Sequence, residues 1–118
     1  MGRVLQIRVG AWTYDEDEVL RTWPHLTALV WPQLDQWGPA GMKHGVIELA
    51  AHLADAIRFS DLPKEQKESL APLARSVTAL LEEMRAALAD WKPRAANTLS
   101  EKLEEALTEL DSQMAALE

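Results

Sequence analysis

Residues 70–91 read LAPLARSVTALLEEMRAALADW, and this stretch decides the fold class that the sequence predicts. Its apolar residues recur at alternating steps of three and four, the spacing of one helix face that packs along a second helix. The repeat runs through Leu70, Leu73, Val77, Leu80, Met84, Ala87 and Trp91. We therefore expect a long helix here, with these side chains on its buried face.

A second stretch with the same spacing follows a break at Lys92-Pro93. Its apolar residues are Leu103, Leu107, Leu110, Met114 and Leu117. The sequence TLSE at 98–101 matches a capping box, which marks the start of a helix. Two amphipathic helices joined by a short break favour antiparallel packing. We therefore predict that residues 70–91 and 99–117 form an antiparallel helical hairpin.

The part of the chain before the hairpin is also predicted to be mostly helical. The acidic run DEDE at 15–18 suits the first turn of a helix, where carboxylates face the positive end of the helix dipole. Pro24 interrupts the helical pattern that follows, so it either kinks this helix or begins a second one. Trp31-Pro32 is expected to end the helical stretch, and a loop over 33–43 then leads to another helix that begins near His44.

The N-terminal residues 1–14 have the pattern of a β-strand. Leu5, Ile7, Val9 and Ala11 alternate with residues that are mostly polar. A single strand leaves backbone hydrogen-bonding groups unpaired, and no second segment has comparable β character. An antiparallel pair made with the same strand of a second copy would obey two-fold symmetry. The sequence therefore predicts a homodimer of a mainly α protein, in which about four helices form a small bundle after one N-terminal strand.

Length and composition exclude several classes of protein. The 118 residues are enough for one domain, predicted as a strand over 1–14, a tryptophan-rich helical part over 15–59 and the hairpin over 60–118. The absence of cysteine excludes disulfides and thiolate metal sites, and the net charge of −7 argues against a nucleic-acid surface. No apolar run of ~20 residues and no signal-peptide pattern is present. We expect a cytoplasmic protein that binds neither nucleic acid nor membranes.

His44, Glu48 and His52 form a candidate metal site because residues four apart share one face of a helix. Imidazole and carboxylate groups bind zinc or iron. However, residues eight apart on one helix lie ~12 Å apart along its axis, so a single ion reaches at most two of the three side chains. The polar face of an amphipathic helix explains the same pattern, and we expect no cofactor.

Two further candidates involve ligand binding. Trp12, Trp23, Trp31 and Trp37 all lie in the first 37 residues, where they either fill the core or line a pocket or interface. Lys43 lies in a glycine-rich loop before a helix, an arrangement that can hold a phosphate but is also an ordinary connector. The sequence leaves both alternatives open.

The sequence contains no specific catalytic motif. None of the serines lies in a Gly-x-Ser-x-Gly elbow, and no pair of carboxylates stands out from the other acidic residues. The favoured interpretation is a non-catalytic cytoplasmic interaction or oligomerisation protein with a protein partner. The alternative is a small-ligand or metal-binding domain that uses the tryptophan-rich part and the His44, Glu48 and His52 stripe.

Overall fold

Five α-helices build the part of the chain that the structure, a computed structural model, describes, namely residues 10–117. The helices are α1 (Glu16–Thr22), α2 (Pro24–Trp37), α3 (Val46–Arg58), α4 (Lys64–Ala89) and α5 (Pro93–Ala116). The prediction of a helical bundle is confirmed, with one helix more than expected. Within the described residues, no helix combines the length and the apolar composition that a membrane span requires.

Helices α4 and α5 are the two longest helices, and the other three pack against this pair or against each other. The three residues 90–92 connect the two helices, which make the most extensive contact of any helix pair. Helix α3 packs against α4, α2 packs against both α3 and α5, and α1 packs against α2. The molecule extends 53 Å along its longest axis, because α4 alone, with 26 residues, is ~39 Å long.

The buried face of α4 differs from the predicted one. Leu81 is buried, whereas Leu80 is half-buried, and Ala74 is buried where the sequence predicted Leu73. The buried residues of α4 are Leu70, Ala74, Val77, Leu81, Met84 and Ala87. The buried residues keep the predicted seven-residue spacing, but two of them are displaced by one residue. The partly buried Leu73 and Leu80 pack beside them, so the apolar stripe is broader than a two-helix seam, because α4 contacts α3 as well as α5.

The start of α5 was also predicted wrongly, since the helix begins at Pro93 rather than at residue 99. Proline suits the first helical position because its fixed φ is that of a helix and no intrahelical partner is lost there. The Thr98 hydroxyl does not cap a helix but donates to the backbone oxygen of Arg94, 3.1 Å away, inside α5.

The two prolines that were expected to disturb helices behave differently. Pro24 begins α2, so the chain forms two helices where one kinked helix was the alternative. Pro32 does not end α2, which continues to Trp37. Its missing N–H removes one hydrogen bond, but Trp31 and Leu34 on either side of it are buried, and this packing holds the turn in place.

The predicted strand over 1–14 and its pairing across a dimer fall largely on residues 1–9, which lie outside the described residues. Residues 10–14 belong to the predicted strand, but they form neither strand nor helix. Within residues 10–117 the structure therefore contains helices and no strand. The strand-mediated homodimer remains a prediction.

The turn from α4 to α5 is a Schellman motif with a tryptophan in place of the usual glycine. The Lys92 N–H donates to the Ala87 oxygen at 2.8 Å, and the Trp91 N–H donates to the Leu88 oxygen at 3.2 Å. Trp91 has a φ of 57°, in the left-handed region that disfavours residues with a Cβ. Its side chain was predicted to lie in the core, but it is more than half exposed because α4 ends two residues before it.

We expect Trp91→Gly to be more stable than Trp91→Ala by ~1 kcal/mol, because both variants lose the indole but only glycine relieves the left-handed backbone. Urea unfolding of the two variants measures this difference directly. Equal stabilities would show that the backbone at this turn is not strained.

Candidate functional site

The four tryptophans of the first 37 residues divide between the core and the surface. Trp23 and Trp31 are buried, at 3% and 8% exposure. Trp12 and Trp37 are exposed, at 82% and 80%. The sequence left open whether the tryptophans fill the core or line a binding surface. Trp23 and Trp31 lie in the core, and Trp12 and Trp37 are accessible to a ligand or partner. The two exposed indoles border different concave surfaces.

The first concave surface lies between α2 and α3 and is called here the α2–α3 groove. It has a volume of about 900 Å³, and its walls include Leu29, Pro32, Trp37 and Phe59. Phe59, directly after α3, is 71% exposed. A hydrogen bond from Gln33 Nε2 to a backbone oxygen of α3 at 3.1 Å ties the two helices together beneath the groove.

The second concave surface, called here the Trp23 cavity, has a volume of about 450 Å³. Residues 11–15, α1 and the start of α3 meet α4 and α5 around it. Side chains that are themselves buried line its depth, among them Val19, Trp23, Met84 and Leu103. The cavity therefore reaches the core of the bundle.

Polar contacts between α5 and the first turn of α2 hold Trp23 in place. Trp23 Nε1 donates to Thr108 Oγ1 at 3.0 Å. One turn further along α5, Asp111 Oδ1 accepts from the backbone N–H groups of His25 at 2.9 Å and Leu26 at 3.0 Å. Asp111 Oδ2 lies 3.2 Å from His25 Nδ1. Asp111 thus caps the N-terminus of α2 from a different helix, in the way that an N-cap side chain does locally.

The N-terminus of α3, where Lys43 suggested a phosphate site, is capped by the chain's own side chains. Thr13 Oγ1 accepts from the Val46 N–H at 2.8 Å, and Glu48 Oε1 accepts from the Gly45 N–H at 3.1 Å. The Lys43 side chain is exposed. Donors that a phosphate would use are therefore already engaged at this helix end.

The candidate metal-binding side chains have separate surroundings. His44 stacks on Trp31, with ring centroids 4.5 Å apart, and its Nε2 lies 2.8 Å from Asp35 Oδ1. Glu48 caps its own helix, and His52 lines the α2–α3 groove. Residues 10–117 contain no group of three His, Cys, Asp or Glu side chains arranged to hold a metal ion. The structure thus does not bring His44, Glu48 and His52 together.

Several residues of these surfaces were not singled out from the sequence. Phe59 is the only phenylalanine, and its position just past the end of α3 was the available signal for its exposure. Asp111 and Thr108 looked like ordinary polar residues of an acidic helix, because their partners lie more than 80 positions away in the chain. Comparison with protein-family models, with curated proteins and with solved structures gave no match.

Proposed function

We propose that this protein is a non-catalytic interaction protein of the cytoplasm whose α2–α3 groove binds an amphipathic helix of a protein partner. One observation carries the proposal: Trp37 and Phe59, at 80% and 71% exposure, border the same groove. Large aromatic side chains are enriched among the residues that contribute most to binding at interfaces. Their exposure in the isolated chain leaves their apolar area available to a partner.

The shape of the groove suits a helix. Its two long walls are helices α2 and α3, and apolar side chains such as Leu29 and Pro32 lie along it. Helices bind such grooves by placing large side chains at positions i, i+3, i+4 and i+7. The Gln33 hydrogen bond to α3 and the stacking of Trp31 on His44 fix the walls, so little ordering accompanies binding.

The charges around the groove favour a basic partner. Asp55 and Asp61 line its edge. Arg58 pairs with Asp55 at 3.1 Å and lies over the Phe59 ring at 4.7 Å, so Asp61 supplies the net negative charge at this edge. The chain as a whole has a net charge of −7. A helix that carries lysine or arginine beside its apolar anchors would therefore be steered toward this face.

We expect Trp37→Ala and Phe59→Ala each to weaken binding of such a helix at least ~10-fold while changing the unfolding free energy by less than ~0.5 kcal/mol. The probes are helical peptides of ~20 residues, with apolar anchors and flanking lysines, selected on the wild-type protein from a displayed library. Titration calorimetry then gives the affinity of each variant.

Trp12→Ala is the matched control, because Trp12 is equally exposed and lies outside the groove. Its affinity for the selected helices should equal that of the wild type. Selected helices that bind Trp37→Ala and Phe59→Ala as tightly as the wild type would contradict the proposal. So would a dimer in sedimentation experiments that Trp37→Ala dissociates, since a second copy would then already cover Trp37.

A further inference from the structure

We propose that the Trp23 cavity binds a small organic cation, an amine or quaternary ammonium group attached to an apolar body. This site is separate from the α2–α3 groove, and the proposal does not rest on the function proposed there. Three features support it together: a cavity of ligand size that reaches the core, carboxylates at its mouth, and aromatic side chains beside them.

The depth of the cavity provides the place for the apolar body. Its volume of about 450 Å³ lies in the range of small-molecule sites. Val19, Met84 and Leu103 are each at most 3% exposed and yet border the cavity, so a ligand entering it contacts the hydrophobic core itself. The Trp23 indole N–H is bonded to Thr108, which holds the ring in place as a fixed wall.

The mouth of the cavity provides the place for the positive charge. Asp15, Glu18 and Glu104 all border it. Arg21 lies 2.9 Å from Glu18 and 3.6 Å from Asp15, and this one guanidinium offsets only part of their charge. No cationic side chain within residues 10–117 pairs with Glu104. The mouth therefore has a net negative charge that favours a cation over an anion.

Two aromatic rings at the mouth of the cavity favour binding of an organic cation over a metal ion. Trp12 and Tyr14 border the cavity with 82% and 102% of their surface exposed. Their π faces attract cations whose charge is spread over alkyl groups, as in the aromatic sites that bind quaternary ammonium ligands. A cationic group between these rings and the carboxylates would make cation–π contacts with the rings and ionic contacts with the carboxylates.

The experiment uses benzyltrimethylammonium as the probe, with benzyl alcohol as the neutral control and benzenesulfonate as the anionic control. Each is titrated into the full chain while the indole N–H signals of the five tryptophans are followed by NMR. We expect the cation to bind at least ~10-fold more tightly than benzyl alcohol. We expect it to shift the Trp12 and Trp23 signals and to bind more weakly as salt is added.

Glu104→Gln and Glu105→Gln make a matched pair, because they are neighbours on α5 with the same change of charge and only Glu104 borders the cavity. Glu104→Gln should weaken binding of the cation several-fold, and Glu105→Gln should leave it unchanged. Equal effects of the two variants would overturn the proposal, since only net charge would then matter. Equal binding of the alcohol, or no shift at Trp12 and Trp23, would overturn it as well.

Discussion

Leu81→Ala is expected to lower the free energy of unfolding by ~2–5 kcal/mol, the cost of truncating a fully buried leucine. Leu81 is 3% exposed and belongs to the main core cluster. Its neighbour Leu80 is only half-buried, so Leu80→Ala should cost less than half as much. The pair tests which face of α4 points into the bundle.

Urea unfolding of both variants decides the question, with Glu82→Ala as the exposed control on the same turn. Equal m-values for all variants would show that the change lies in stability and not in the extent of unfolding. A larger loss at Leu80 than at Leu81 would contradict the structure. It would instead support the predicted face, in which Leu73 and Leu80 are the buried residues.

Asp111→Ala is expected to lower the free energy of unfolding by ~2–3 kcal/mol. The carboxylate accepts from two backbone N–H groups of α2 and contacts the His25 ring, and its side chain is 13% exposed. Without the carboxylate, the backbone N–H groups of His25 and Leu26 lose their acceptor at a partly buried helix end. Few other polar contacts join α5 to α2, so their docking should weaken.

Glu109→Ala is the control for this prediction, since Glu109 is an exposed acid on α5, two positions before Asp111. It should change the stability by less than ~0.5 kcal/mol. Asp111→Asn keeps one acceptor oxygen and should fall between Asp111→Ala and the wild type. Equal stabilities of all three variants would show that the cap contributes nothing to folding.

Local patterns in the sequence were enough to predict most of the helices. The break at Lys92-Pro93 and a start of α3 within two residues of His44 follow from residues adjacent in the chain, and the split at Pro24 is one of the two alternatives that the sequence left open. These are the places where backbone sterics and turn chemistry decide the structure.

The errors occur where packing between distant segments decides the structure. Pro32 remains inside α2 because its neighbours are buried, and Leu81 replaces Leu80 in the core because α3 packs on α4. Neither effect can be read from a window of neighbouring residues.

The candidate site could be predicted only in part. The sequence indicated the tryptophans as candidate binding residues, and Trp12, Trp23 and Trp37 do border the two concave surfaces. It could not assign Trp23 to a cavity wall and Trp37 to a separate groove, because the partners of each lie on other helices. The spacing of His44, Glu48 and His52 suggested a shared role, but their surroundings differ. His44 contacts α2, Glu48 caps its own helix and His52 lines the α2–α3 groove.

The most direct test of the proposed function is an NMR titration of a selected basic helix, read at the five tryptophan indole signals. The proposal predicts that the Trp37 signal shifts and saturates with the peptide. The Trp12 and Trp91 signals, which lie outside the α2–α3 groove, should stay in place. A shift at Trp12 or Trp91 with none at Trp37 would contradict the proposal that this groove is the binding face.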